Sequence, residues 1–144
     1  MTAPAQGARR RAREAAFRVA FQADVAGDSY AFAWQLRRED EPQLTDDQRE
    51  LISDVVQLLE ERGAEVDGFL RESAEHWPLN RLAATDRAVL RIAVAEMIAR
   101  PGTPVRVVID EAIEIAREYG SPESGRFVNG VLDRTARKLR VEEF

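Results

Sequence analysis

A chain of 144 residues is long enough to bury roughly 70% of the surface its unfolded form exposes, so it needs no covalent staple to fold. It contains no cysteine, which excludes disulfides, thiolate metal sites and cysteine nucleophiles and agrees with a reducing compartment. The net charge is −5, yet residues 1–18 set Arg9, Arg10, Arg11, Arg13 and Arg18 against Glu14 alone, a local +4 that leaves −9 for the remainder. Residues 1–8 hold no apolar run fit for a signal peptide, and nowhere do about 18 apolar residues run together, so a soluble cytoplasmic protein is expected.

Apolar residues recur at a spacing close to 3.6 along almost the whole chain, which predicts an all-α protein, a compact single-domain bundle of about six or seven helices. The alanine-rich start, with Pro4 and Gly7, is expected to form a mobile tail over 1–8 ahead of a helical domain over 9–144. A first helix spans about 8–26. A weaker one carries Tyr30, Phe32, Trp34 and Leu36, and the polar stretch 37–43 is expected to be a flexible loop. Thr45-Asp46-Asp47-Gln48 has the form of a capping box ahead of Leu51, Ile52, Val55, Val56 and Leu59, opening a helix expected to end near Gly63. A segment over about 64–76, with Val66, Phe69 and Leu70, is halted by Trp77-Pro78.

The next helix, about 85–99, places Val89, Leu90, Ala93, Val94, Met97 and Ile98 on a broad face and stops at Arg100-Pro101-Gly102. Thr103-Pro104 and Ser121-Pro122 each read as an N-cap followed by proline at the first helical position, with Gly120 at a C′ position between the two helices they open. Asn129-Gly130 lies inside the last helix, where glycine costs about 1 kcal/mol relative to alanine. That cost suggests the close approach of a neighbouring helix or a ligand.

At ~100° per residue, one side of the first helix collects Ala12, Ala15, Ala16, Val19, Ala20 and Ala23, suited to tight helix packing. The opposite side interleaves Arg10, Phe17 and Phe21 with Arg11, Arg13, Glu14 and Arg18. Aromatics among arginines suit single-stranded RNA, whose bases stack on rings while its backbone follows positive charge. Phe17 and Phe21 at i and i+4 equally suit a core. Arginines at a helix start oppose the macrodipole by roughly 0.3–1 kcal/mol each, which a bound phosphate would offset.

Catalytic signatures are sparse. The single histidine, His76, excludes paired-histidine zinc sites and di-iron ligation, and beside Trp77 it reads as a structural residue next to a buried ring. The eight glycines never take the spacing of a phosphate-binding loop followed by lysine. Neither an enzyme nor a cofactor or metal site is expected.

Four segments carry a resemblance. Arg9-Arg10-Arg11-Ala12-Arg13-Glu14-Ala15-Ala16, then Asp86-Arg87-Ala88-Val89-Leu90-Arg91-Ile92-Ala93 with Glu96, then Val108-Ile109-Asp110-Glu111-Ala112-Ile113-Glu114-Ile115-Ala116, and Phe127-Val128-Asn129-Gly130-Val131-Leu132-Asp133 occur in the order and separation of the NusB family, which the chain resembles over most of its length. The resemblance implies a non-enzymatic helical bundle that binds boxA RNA together with the ribosomal protein NusE. The pair nucleates an antitermination complex on RNA polymerase, chiefly during ribosomal RNA synthesis. It implies RNA contacts from Arg9, Arg10, Arg11 and Arg13, with Phe21 and Phe127 as aromatic candidates beside the RNA. Phe21 stands where the family often has tyrosine, and Asp110 where it commonly has asparagine. Asp86 matches an acidic position used toward NusE, or is a first-turn carboxylate stabilised by the helix dipole. Asn129 is expected to hold helix to helix. Some members are homodimers, and the sequence leaves that state open.

Two rivals are a free-standing relative of the RNA-binding domain that precedes ribosomal RNA methyltransferases, although no methyl-transferring segment is expected with it, and a protein-only scaffold. If four arginines neutralise phosphates, log K should fall against log salt with a slope near −3, from roughly −0.7 per phosphate. Replacing Arg10, Arg11 and Arg13 by alanine is expected to abolish RNA binding and leave thermal unfolding nearly unchanged.

Overall fold

The computed structural model describes residues 3–74 and 76–144, with side chains from Gly7 onward. Among these, six α-helices follow in order: α1 (Ala3–Ala26), α2 (Tyr30–Asp40), α3 (Asp46–Ser73), α4 (Ala84–Ala99), α5 (Val105–Tyr119) and α6 (Ser124–Leu139), with 3-10 turns at Leu79–Arg81 and Val141–Glu143. The described residues include no strand, and none of their helices is long and apolar enough to cross a membrane. Of the tail expected over 1–8, Met1 and Thr2 lie outside the described residues, and the helix begins at Ala3.

The centre of the bundle is α4, which packs against α1, α3, α5 and α6. Every residue from Ile92 to Met97 is buried, so this helix has no solvent face there, as expected of a helix enclosed by its neighbours. The small residues Ala12, Ala15, Ala16 and Ala20 of α1 are buried, allowing that helix to lie close against the core. Within the enclosure sits a charge. Glu96 is 2% exposed and is held by Arg13 of α1, whose Nε and Nη2 donate to its two oxygens at 2.8 and 2.7 Å. Arg13 Nη1 also donates to Glu111 Oε1 on α5 at 3.2 Å. Burial alone would lower the Arg13 pKa, and the hydrogen bonds and charge of Glu96, joined by Glu111, outweigh it and hold the group above its ordinary value.

Several local expectations are corrected. Because α1 starts at Ala3, the arginines at 9–13 lie beyond its first turn, and the macrodipole penalty that falls off within that turn does not require a bound phosphate. The stretch 37–43 is not wholly a loop: 37–40 complete α2, which Ser29 caps by accepting from Phe32 N–H at 3.1 Å. The capping box at Thr45 and Gln48 forms as read, and the buried Gln48 Nε2 also donates to Ala8 O at 2.9 Å, tying the starts of α3 and α1. The break expected near Gly63 is present: Arg62 takes a non-helical conformation (φ −129°, ψ 26°) and divides α3 into two helical stretches, the second of which buries Val66 and Leu70.

Neither predicted Thr103 nor Ser121 cap forms. Pro104 and Glu123 precede α5 and α6 without side-chain caps, and Ser121 instead donates its N–H to Ser124 Oγ at 2.9 Å. The Val105 N–H at the start of α5 is satisfied by Glu143 Oε1 at 2.9 Å, and Glu143 is also paired with the buried Arg140. Gly120 is the C-cap of α5 in an extended conformation rather than a left-handed C′ residue. A side chain there would collide with Ser124 and the Ala116 carbonyl, whose atoms lie 2.5–2.9 Å from an ideal Cβ.

Three substitutions test these contacts. Arg13→Ala leaves the Glu96 carboxyl buried without its partner, a loss of roughly 3–5 kcal/mol, so the melting temperature should fall by about 10 °C or more. Arg11→Ala on the exposed face should shift stability by no more than about 0.5 kcal/mol. For Glu143, the Val105 N–H, followed by Arg140, holds the carboxyl below its ordinary pKa of 4.5. Its contribution is therefore present above that value and is lost as pH falls through the lower folded-state pKa. Glu143→Gln should melt below the wild type at neutral pH, and thermal melts in an acid series should show the gap closing only below pH 4.5.

Candidate nucleic-acid interface

The arginine segment divides into unequal members. Arg9 and Arg11 are exposed and take part in no ion pair among the described residues. Arg10, whose side chain is 34% exposed, is bound through Nε and Nη2 to Glu111 Oε2, and that hydrogen bond is the main reason its pKa is raised. Arg13 is enclosed by Glu96 and Glu111, so its guanidinium is not presented to a surface ligand. The expectation that Arg10, Arg11 and Arg13 could be removed together without affecting stability is corrected on the same ground. Helical phase does not announce this division, since Arg13 and Arg11 flank opposite edges of the alanine stripe, about 20° beyond Ala20 and about 40° before Ala15.

Phe17 is a core residue, 4% exposed, in tilted contact with Tyr119 of α5 at 4.9 Å between centroids. Phe21, half-buried, lies 6.2 Å from Phe17. Arg18 donates Nη2 to Tyr119 Oη at 2.7 Å and lies over its ring, closing this cluster at the α1–α5 seam.

A second aromatic cluster is built around Trp77, which sequence reasoning placed inside. Trp77 is 59% exposed and meets the half-buried Phe127 edge to face, with centroids 6.2 Å apart and planes at 79°. His76 beside it is exposed rather than part of a buried structural pair. The two rings flank two grooves. One is also lined by Arg126, Gly130 and Arg134, and the other by Arg81, Asp86, Ser121 and Glu123. Asp86 and Phe127, assigned by resemblance to a protein partner and to RNA, therefore share one groove. Asp86 lies in the first turn of α4, and its Oδ1 is buried without a hydrogen-bond partner among the described residues.

The loop carrying Trp77 is clamped at both ends. Arg134 of α6 donates Nε to Ser73 O at 2.7 Å. On the other side, Arg87 of α4 donates Nη1 to the Leu79 and Leu82 carbonyls at 3.1 and 2.9 Å, while its Nε and Nη2 bind Asp24 of α1. An exposed indole on a loop with both ends fixed is presented at little entropic cost. The signal in the sequence is Pro78, which disfavours a helical conformation at Trp77, and α3 has already ended at Ser73.

Other expected features fall outside these clusters. Asn129 is exposed and makes no hydrogen bond among the described residues, so it does not hold helix to helix. Gly130 meets no neighbouring helix, since an added Cβ would find only Arg134 of its own helix at 3.7 Å. Its open side faces the Trp77–Phe127 groove. Asp110 is exposed on α5.

Comparison with known proteins bears directly on this arrangement. Residues 10–137 match the sequence model of the NusB family. The transcription antitermination protein NusB of Koribacter versatilis (strain Ellin345) is 41% identical over 136 residues, 94% of this chain and 93% of that protein. The NusB structure of T. maritima superposes with a TM-score of 0.86 at 35% identity, covering 94% of this chain and 96% of that one. A chain in the crystal structure of the antitermination factors NusB and NusE in complex with dsRNA gives 0.75 at 25% identity, covering 91% and 97%. The six-helix architecture, the matched span and these near-full-length likenesses agree: the chain belongs to the NusB family.

Proposed function

We propose that the chain is a non-catalytic transcription antitermination factor that binds boxA-type RNA and works together with NusE on RNA polymerase, chiefly in ribosomal RNA transcription. The observation that carries this reading is the exposed Trp77, held edge-on to Phe127 between two grooves that are each lined by arginine. Base stacking on such rings supplies affinity, and Arg9 and Arg11 supply phosphate contacts that position the strand without reading its sequence. Phe127 and Trp77 are the stacking residues in this reading. Phe21 serves chiefly to pack against Phe17, with its open edge available to a base.

Asp86 suits the partner surface. Its carboxylate, beside Glu123 in the same groove, places negative charge where a basic ribosomal protein would meet it. The same groove contains Phe127, which supports an arrangement in which RNA and partner meet at one edge of the bundle.

Anisotropy titrations of labelled boxA RNA and a scrambled control, with and without NusE, test the proposal. Trp77→Ala should weaken boxA binding by ~1–3 kcal/mol, roughly 5- to 150-fold, with no large change in melting temperature because the ring is mostly outside the core. Replacing Arg9 and Arg11 together should weaken both RNAs and make the log K against log salt slope shallower by about 1.4, from roughly 0.7 per phosphate. Undiminished affinity in the Trp77 variant would remove the stacking assignment. Binding of NusE by a protein that shows no affinity for either RNA, alone or with NusE, would favour a protein-only scaffold.

A further inference from the structure

Four arginines in five positions form a single cationic run in the sequence, but on the folded surface they do not. At ~100° per residue, Arg9 and Arg11 lie about 200° apart around α1, and Arg10 occupies the sector between them. A continuous positive arc from Arg9 to Arg11 therefore requires the charge of Arg10. That charge is already taken. Glu111, its side chain 14% exposed, lies on the Nε–Nη2 edge of Arg10, the edge a phosphate would use for two parallel hydrogen bonds. Its other oxygen reaches Arg13, which Glu96 already holds through two hydrogen bonds. Glu111 is thus a second, longer contact for Arg13, while for Arg10 it is the ion-pair partner among the described residues.

We infer that Glu111 is a positioning residue that sets RNA affinity by withholding Arg10: its carboxylate occupies the phosphate-binding edge of that guanidinium and splits the cationic face of α1 into two separate patches. The inference rests on the RNA-binding reading above and gives it a regulator. The carboxylate stands where an RNA phosphate would stand, its Oε2 accepting from both nitrogens of that edge, and its like charge repels the backbone. Its removal joins the two patches. Because phosphate contacts carry little sequence information, the gain should be the same for any single-stranded RNA. Glu111 therefore acts to keep non-cognate RNA from binding on charge alone.

The test is Glu111→Gln, which keeps the shape and removes the charge, in salt-dependent titrations of boxA RNA and a scrambled RNA of equal length. Both affinities should rise by the same factor, about 3- to 10-fold at low salt, and the slope of log K against log salt should steepen by about 0.7, the value for one added phosphate on a single strand. Adding Arg10→Gln to that variant should return both slope and affinity to the wild-type values. A loss of packing alone would not move the slope and would not be reversed by a second substitution.

A measurement on the unaltered chain guards against misfolding of the variant. The Arg10 Nε–H resonance, assigned by ¹⁵N NMR, should stay in place when RNA is added to the wild-type protein. Movement of that resonance on RNA binding overturns the inference, as does an unchanged slope in a folded Glu111→Gln protein. If neither protein binds RNA, the RNA-binding reading fails and takes this inference with it. Wild-type binding with no response to Glu111→Gln defeats the inference alone.

Discussion

The bundle is organised around one buried ion pair. Glu96 lies on the helix that all the larger elements enclose, and a carboxylate there can stay charged only with a partner that enters the core. Arg13 meets that requirement from α1, and in doing so fixes the rotation of α1 about its axis. Once Arg13 points inward, the remaining arginines have no freedom of placement: Arg10 falls against α5, and Arg9 and Arg11 fall outside. The arrangement of charge on the candidate RNA surface is thus a consequence of satisfying one buried anion.

A second set of ion pairs does similar work at the other edge. Arg87 and Arg91 of α4 bind Asp24 of α1, Arg91 also binds Asp67 of α3, and Arg87 extends the network to the carbonyls of the loop behind Trp77. These half-buried pairs carry the geometry of α1 and α4 into the position of an exposed ring. The candidate stacking residues and the candidate phosphate contacts are both placed by arginines that are themselves unavailable to a ligand.

What the sequence made legible was periodic. The five main helices, the capping box at Thr45, the alanine face of α1 and the apolar face of α4 all follow from spacing and local hydrogen bonding, and the structure reproduces them. Function was legible through the four family motifs. What spacing could not show was pairing across distance. Arg13 and Glu96 are 83 residues apart, so a charge run that reads as solvated surface contains one core residue. Trp77 was misplaced because its residue type favours burial, and the caps at Thr103 and Ser121 because a carboxylate 38 residues away satisfies one helix start and Ser124 reshapes the other. The break near Gly63 was legible too, and Arg62 is the non-helical residue at which the two stretches of α3 meet.

The separation of Arg13 from its anions also sets an order in time. Synthesis runs from the N-terminus at about 5–20 residues per second, so the arginines of α1 leave the ribosome ~4–17 s before the residue 83 positions later that neutralises one of them. Glu111, 101 positions after Arg10, comes later still. During that interval the nascent segment carries its positive charge undiminished beside the RNA of the machine that is making it. The mature surface, with two arginines outward and two withheld, exists only after α4 and α5 have closed over α1.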